Sequence, residues 1–158
     1  GYDRTHMQLP AQMDVLVDAV ASATARLVVV VLAGSPVEMP WLHRVPCVLL
    51  MGLPGQAVGG AMADVLFGSV PPGGKLAETW PLALADCPSS RNFARQRRQV
   101  VYREGLSVGY RHFASRPVLF PFGHGLSYTN FTLGCTGNAT ALPIATTCVV
   151  ANTGAMDG

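Results

Sequence analysis

The sequence predicts an α/β fold, and three observations carry that prediction. Apolar residues recur every three or four positions across residues 10–25, behind a proline that suits the first turn of a helix. Two short apolar runs follow at residues 27–32 and 47–51, and such unbroken runs are typical of parallel strands covered on both faces. A second helical pattern spans residues 56–67 and stops at Gly68. Helices that alternate with apolar strands indicate a layered α/β sheet.

Composition narrows the class of protein. Of the 158 residues, 49% are hydrophobic and 13% are charged, which is enough to bury a core and argues against disorder. The formal net charge of +2 gives no support to a protein that binds polyanions. The longest strongly apolar run, residues 27–33, is far shorter than the roughly 20 residues that a membrane span requires. We therefore expect a globular α/β domain without nucleic-acid or membrane partners.

The rest of the chain divides into three kinds of segment. Residues 75–80 alternate in polarity and predict a short strand. Residues 83–105 are polar and rich in arginine, which favours a solvated loop at the rim of a site; a nucleic-acid surface is the alternative, but no recognition motif supports it. From Leu126 onward, short runs of threonine, valine and cysteine between turns predict the β-strands of a second domain.

The cysteines and two N-glycosylation sequons indicate in which cellular compartment the protein folds. No Cys-x-x-Cys pair is present, which argues against a zinc or redox site, and Cys47 in its apolar run is predicted to be buried. Cys135 and Cys148 could form a disulfide in an oxidising compartment, or could remain free thiols. Asn130 and Asn138 each begin an N-glycosylation sequon. No leader pattern precedes these features and both ends of the chain resemble cuts, so we expect a piece of a longer protein. The two sequons together favour a secreted protein.

Carboxylates and aromatic residues supply the candidates for a site. Asp14 and Asp18 fall on the predicted outward side of the first helix, where we expect them to be solvated. Asp3 and Glu104 each stand beside an arginine and are candidates for a polar cleft, or alternatively for ion pairs that order a loop. The two tryptophans could stack on a sugar, but core packing is the favoured interpretation.

A series of short motifs then resembles one family. In chain order they are Gly34-Ser35-Pro36-Val37-Glu38-Met39-Pro40-Trp41, Pro54-Gly55-Gln56, Ala63-Asp64-Val65-Leu66-Phe67-Gly68, Pro72-Gly73-Gly74-Lys75-Leu76, Tyr102, Glu104-Gly105, Val108-Gly109-Tyr110-Arg111 and Phe120-Pro121-Phe122-Gly123-His124-Gly125-Leu126-Ser127-Tyr128-Thr129. This series resembles the C-terminal α/β sandwich domain of glycoside hydrolase family 3, which contains β-glucosidases and β-xylosidases. The resemblance implies a truncated sandwich domain over residues 1–131 and, over residues 132–158, the beginning of an all-β fibronectin type III-like domain.

The resemblance also implies a function. Members of the family are typically retaining, exo-acting β-glycosidases that need no metal or organic cofactor. Their aspartate nucleophile lies on an N-terminal β/α barrel, which would be a partner of this domain together with the carbohydrate substrate. In many members the acid/base glutamate lies in or shortly before a stretch like Gly1-Tyr2-Asp3-Arg4, so both catalytic carboxylates are expected outside this chain. No residue within it is assigned a catalytic role.

Within this chain, the resemblance makes Asp3, Arg4, Tyr102 and Glu104 candidates for the wall of the substrate cleft. The chain departs from the family at Ala57, where many relatives carry glutamate, and at Gly52-Leu53, where they carry an aromatic pair. If those positions shape the cleft, the substrate preference would differ from that of common glucosidases. The alternative function is a non-catalytic carbohydrate-binding or structural module of the same fold.

Overall fold

The computed structural model describes residues 4–93, 99–138 and 144–158. Its helices and strands are α1 (Ala11–Ala23), β1 (Val28–Val31), β2 (Cys47–Leu50), α2 (Val58–Leu66), α3 (Tyr110–Phe113), β3 (Phe131–Asn138) and β4 (Ala145–Asn152). The chain divides into two compact units. The first contains Gly1–Val58 and Lys75–His124, and the second contains Gly59–Gly74 and Gly125–Gly158. None of the helices in the described residues is long and apolar enough to cross a membrane.

Strands β1 and β2 confirm the two predicted strands and their parallel pairing. Val28 lies opposite Cys47 and Val31 lies opposite Leu50. The prediction that Cys47 is buried was wrong, because its side chain is exposed at the start of β2. Only Val31 of β1 is fully buried, and the sheet has two strands within the described residues. In a larger parallel sheet both faces are covered by packed elements. With only two described strands, the first residues of the pair, Val28 and Cys47, remain exposed.

Helix α1 confirms the first helical pattern but presents a different face to the core. Met13 and Leu16, two of the recurring apolar residues of this pattern, are more than half exposed, whereas Val17 packs against the core. Asp14 and Asp18 were predicted to be solvated. This was wrong for Asp14, which accepts a hydrogen bond from the buried Trp41 indole, whereas the Asp18 side chain remains about half exposed. They lie four residues apart on one helical face, which turns toward the chain segment around Trp41.

The hydrophobic core of the first unit centres on Trp41, which is 1% exposed. Five further buried side chains complete it: Val31, Val37, Met39, Val45 and Trp80. The indole Nε1 of Trp41 donates a hydrogen bond to Asp14 Oδ1 at 2.8 Å, so the one polar atom of this buried ring is satisfied. Both tryptophans are therefore core residues, as expected, and neither is free to stack on a ligand.

Residues 75–80 do not form the regular strand that was predicted, because the backbone bends at Ala77 and Glu78 and only an isolated bridge joins Trp80 to Phe120. Leu76 exchanges backbone hydrogen bonds with residues 123–124, and Trp80 exchanges them with residues 119–120. Between these two points the Thr79 hydroxyl accepts a hydrogen bond from the Phe122 backbone N–H at 3.2 Å. Since Pro81 and Pro121 have no N–H to donate, the ladder cannot continue through them and a side chain replaces one of its bonds.

Helix α2, in the second unit, confirms the second helical pattern. A short 3₁₀ turn, Gly55–Ala57, comes before it. After the helix, Gly68 has a φ of 77°, the left-handed conformation that commonly terminates helices and that glycine adopts without a steric cost. The stop at Gly68 was thus correctly placed from the sequence.

Strands β3 and β4 confirm the strands predicted from the runs of threonine, valine and cysteine, and they pair as an antiparallel hairpin. Asn130 O accepts a hydrogen bond from Thr153 N at 2.8 Å, which makes that pair a hydrogen-bonded one. Because hydrogen-bonded and non-hydrogen-bonded pairs alternate along an antiparallel ladder, Cys135 and Cys148 face each other at a non-hydrogen-bonded pair, the closer kind. Their Cα atoms are 4.1 Å apart and the two sulfurs form a disulfide bond.

Candidate functional site

A cleft of ≈ 530 Å³ opens in the first unit, within the size range of small-molecule sites. Four separated segments of the chain line it, around residues 4–7, 35–36, 77–89 and 109–122. Its charged, thiol and aromatic side chains are those of Arg4, Glu78, Cys87, Tyr110, Phe113 and Phe122. The cleft therefore combines a few polar groups with a largely apolar wall.

Arg4 is the predicted site residue that lines this cleft. Its Nη1 and Nη2 each donate a hydrogen bond to the Pro36 carbonyl oxygen, both at 3.2 Å. This bifurcated contact holds the guanidinium in place while its side chain remains exposed. Asp3, the residue predicted to accompany it, lies outside the described residues.

Tyr102 and Glu104 are not among the residues that line the cleft. Both belong to a turn in which Gly105 has a φ of 55°. Tyr102 is 80% exposed. Glu104 is half-buried, and its Oε2 atom is shielded from solvent without a hydrogen-bond partner among the described residues. That these two residues belong to a substrate wall stays a prediction.

Cys87 forms part of the cleft wall, and sequence reasoning did not single it out. Burial raises the pKa of its thiol, the neighbouring Asp86 carboxylate adds to that rise, and Arg4 opposes it. A raised pKa keeps the group in the protonated thiol form near neutral pH. Because the thiolate is the nucleophilic form, this shift disfavours a nucleophilic role for Cys87.

Two aromatic rings form the apolar side of the cleft. The ring centroids of Tyr110 and Phe122 lie 5.2 Å apart with an interplanar angle of 32°, and the Arg111 guanidinium lies 5.9 Å from the Tyr110 centroid. Both rings are about half exposed, so they present apolar surface to a ligand. Tyr110 and Phe122 stand in two of the family-like motifs, and that was the only sequence signal for them.

The described wall of the cleft does not carry the two carboxylates that glycoside hydrolysis needs. Retaining hydrolysis needs two carboxyl groups roughly 5–5.5 Å apart, one as nucleophile and one as acid/base. Among the described residues that line the cleft, Glu78 is the only carboxylate. The part of the chain that the structure describes also contains no group of three histidine, cysteine, aspartate or glutamate side chains that could hold a metal ion.

Comparison with known proteins identifies the family. Residues 1–128 match the glycosyl hydrolase family 3 C-terminal domain, and this chain belongs to that family. Thermostable β-glucosidase B of Acetivibrio thermocellus is 56% identical over 133 residues, covering 83% of this chain and 18% of the relative. The probable β-glucosidase I of Aspergillus fumigatus is 41% identical over 169 residues, covering all of this chain and 20% of the relative.

Solved structures of β-glucosidases also match this chain. The β-glucosidase of Kluyveromyces marxianus in complex with glucose matches with a TM-score of 0.92 and 43% identity, over 98% of this chain and 19% of that one. A β-glucosidase of Streptomyces venezuelae in complex with D-glucose matches with a TM-score of 0.88 and 42% identity, over 98% of this chain and 21% of that one. The α/β fold is therefore that of the family. The chain spans about a fifth of the length of these relatives.

Proposed function

We propose that this chain is part of a retaining, exo-acting β-glycosidase of the β-glucosidase type, which removes terminal β-linked sugars from oligosaccharides or glycosides. The observation that carries the proposal is the match of nearly the whole chain, 98% of it, to a β-glucosidase that was solved with glucose bound. The membership of residues 1–128 in the family supports it independently.

Under this proposal both catalytic carboxylates lie outside this chain. One carboxylate attacks the anomeric carbon while the other protonates the leaving oxygen, and the second then activates the water that hydrolyses the glycosyl–enzyme intermediate. The single carboxylate of the described cleft wall supports this assignment. The chain would supply one wall of the sugar site through Asp3, Arg4, Tyr102 and Glu104, with no metal or organic cofactor. An N-terminal β/α barrel and the carbohydrate substrate would be its partners.

The proposal extends to domain organisation and location. Residues 132–158 would begin a fibronectin type III-like domain, and the hairpin of β3 and β4 supports this because its strands are antiparallel and follow the sandwich domain in sequence. The protein would act outside the cell. The disulfide between Cys135 and Cys148 supports that location, since such bonds persist mainly in oxidising compartments.

An activity measurement tests the proposed function. The 158-residue chain and the whole natural protein that contains it would each be incubated with an aryl β-glucoside, and release of the phenol would be followed. We expect turnover by the whole protein and none by the 158-residue chain. Turnover by a clean preparation of the chain would contradict the placement of the carboxylates, and a whole protein inactive on aryl β-glycosides would contradict the enzymatic proposal.

A non-catalytic carbohydrate-binding module is the second candidate. Two observations favour it: Ala57 stands where many relatives carry glutamate, and the described lining of the cleft holds a single carboxylate. Affinity chromatography of the whole protein on an immobilised β-glucan separates the two functions. Retention without release of sugar supports the binding module, whereas retention with release of glucose supports the enzyme.

A further inference from the structure

The entrance of the β3–β4 hairpin carries a sequon in an accessible setting. Asn130, Phe131 and Thr132 form the Asn-x-Thr pattern, and the side chains of Asn130 and Thr132 are exposed. The backbone at this point is fixed, because Asn130 O accepts hydrogen bonds from Thr153 N at 2.8 Å and from Thr153 Oγ1 at 3.3 Å. The sequon therefore lies at an ordered strand entrance with its acceptor side chain in solvent.

The two faces of the hairpin differ in chemistry. Side chains alternate between faces along a strand, so odd-numbered residues of β3 share a face with even-numbered residues of β4. Two contacts confirm this pairing: the disulfide, and the hydrogen bond of 2.6 Å from Thr129 Oγ1 to Asn152 Oδ1. One face, the apolar face, carries the large apolar side chains of Phe131, Leu133 and Val150 together with the disulfide, and it also includes Gly137, Thr146 and Asn152.

Asn130 falls on the opposite face. The residues that share this face are Thr132, Gly134, Thr136, Asn138, Ala145, Thr147, Val149 and Ala151. Three of them are threonines, none is aromatic or long, and the residues of β4 are exposed along the whole strand. A bulky hydrophilic group on Asn130 would therefore meet small side chains and solvent, and it would leave the apolar face free for burial.

The disulfide is a second, independent observation on the same element. Disulfides form in oxidising compartments such as the lumen of the endoplasmic reticulum, which is also where asparagine-linked glycans are attached in eukaryotic secretory proteins. A hairpin that holds both a formed disulfide and an exposed sequon has the features of a segment matured in that compartment.

From these observations we infer that Asn130 is an N-glycosylation site. Its Nδ2 atom attacks the anomeric carbon of a lipid-pyrophosphate-linked oligosaccharide held by an oligosaccharyltransferase. The N–C1 bond forms as the bond between C1 and the phosphate oxygen breaks, the lipid pyrophosphate leaves, and a base of the transferase takes the amide proton. The glycan then occupies the threonine-rich face of the hairpin.

Peptide mapping of the whole natural protein, purified from its source, tests this assignment. Chymotrypsin cleaves after Phe131 and Leu133 and so separates Asn130 from Asn138, which trypsin does not, because no lysine or arginine follows Arg116. Peptide N-glycosidase treatment in ¹⁸O-water should convert Asn130 to labelled aspartate. Recovery of unmodified Asn130, or a label at Asn138 alone, would overturn the assignment.

Three variants supply the controls, and none depends on glycosidase activity. In secretory expression in a eukaryotic host, N130Q and T132A should each lower the mass of the protein by one glycan. T132S should leave the mass at the glycosylated value, because serine keeps the hydroxyl that the transferase requires. Loss of the glycan in T132S, or its retention in T132A, would contradict the assignment even if all three variants fold equally well.

Discussion

At the scale of a single residue, the carboxylate of Asp14 satisfies a buried hydrogen-bond donor. It accepts the hydrogen bond of the indole Nε1 of Trp41, the most deeply buried large side chain among the described residues. Asp18, one turn along the same helix, instead pairs with Arg44 at 2.8 Å, where the Arg44 side chain is 39% exposed and that of Asp18 is 48% exposed. Both residues are aspartates on the same face of α1, but only Asp14 satisfies a buried hydrogen-bond donor.

Replacing the two aspartates should therefore have unequal effects on stability. D14A leaves the Trp41 Nε1–H without its acceptor and should lower the free energy of unfolding by about 1–3 kcal/mol. D18A removes an exposed ion pair and should cost about 0–1 kcal/mol. Urea unfolding of both variants measures the difference. An equal loss in D14A and D18A would show that the indole hydrogen bond contributes no more than the surface pair.

The two free cysteines should differ in reactivity for the same local reasons. Cys47 is exposed, whereas burial beside Asp86 raises the pKa of the Cys87 thiol. Because a raised pKa lowers the thiolate fraction at a given pH, Cys87 should be alkylated more slowly than Cys47 near pH 8, and its rate should keep rising with pH into the alkaline range. Iodoacetamide labelling of C47S and C87S across pH measures both rates. Faster labelling of Cys87 at neutral pH would contradict the prediction.

Sequence reasoning misjudged residues wherever a tertiary partner determined the outcome. The helical period identified α1, but periodicity cannot reveal that an indole nitrogen lies across from Asp14. Cys47 stands in an apolar run, yet its exposure depends on which strands surround β2. Cys87 carried no signal at all, because its burial is produced by cleft segments distant in sequence.

At the scale of elements, α2 shows how well local rules can work. Its apolar period, and the glycine that ends it, predicted both its extent and its stop. Residues 75–80 show the limit of such rules. Their alternation indicated a strand, but strand formation also depends on whether the partner segment can donate backbone hydrogen bonds, and Pro121 in that segment cannot.

Two glycines associated with α2 should respond in opposite directions to the same substitution. G60A should raise the free energy of unfolding by about 0.5–1 kcal/mol, because Gly60 lies within the helix and an added Cβ meets open space. G68A should lower it by about 1–2 kcal/mol, because the φ of 77° is unfavourable for any residue with a Cβ. Chemical unfolding followed by circular dichroism compares them. Stabilisation by G68A would contradict the left-handed helix stop.

At the scale of the whole molecule, each unit leaves large apolar side chains in solvent. In the first unit Leu53 and Leu106 are both 82% exposed, and in the second unit Phe67 is 87% exposed. The cleft, likewise, is built from four separated segments, which is why the sequence indicated only Arg4 among its polar residues. Motif resemblance predicted the family, but it could not predict which side chains meet in space.

The exposed apolar surface has a measurable consequence. If the 158-residue chain is part of a longer glycosidase, it should bind a hydrophobic fluorescent dye such as 1-anilinonaphthalene-8-sulfonate, because these side chains would be covered in the whole protein. Dye fluorescence per mole should then be much lower for the whole natural protein. Equal dye fluorescence for both proteins, or none for the isolated chain, would contradict this expectation.

Finally, the placement of the indoles determines which optical experiment reports on which part of the molecule. The sequence contains two tryptophans, and both are buried in the core of the first unit. Tryptophan fluorescence, excited selectively at the long-wavelength edge of protein absorption, therefore reports the unfolding of that core alone. The disulfide-linked hairpin contains no tryptophan and contributes nothing to this fluorescence. A tryptophan introduced there, for example by F131W, would give the hairpin a fluorescence signal of its own.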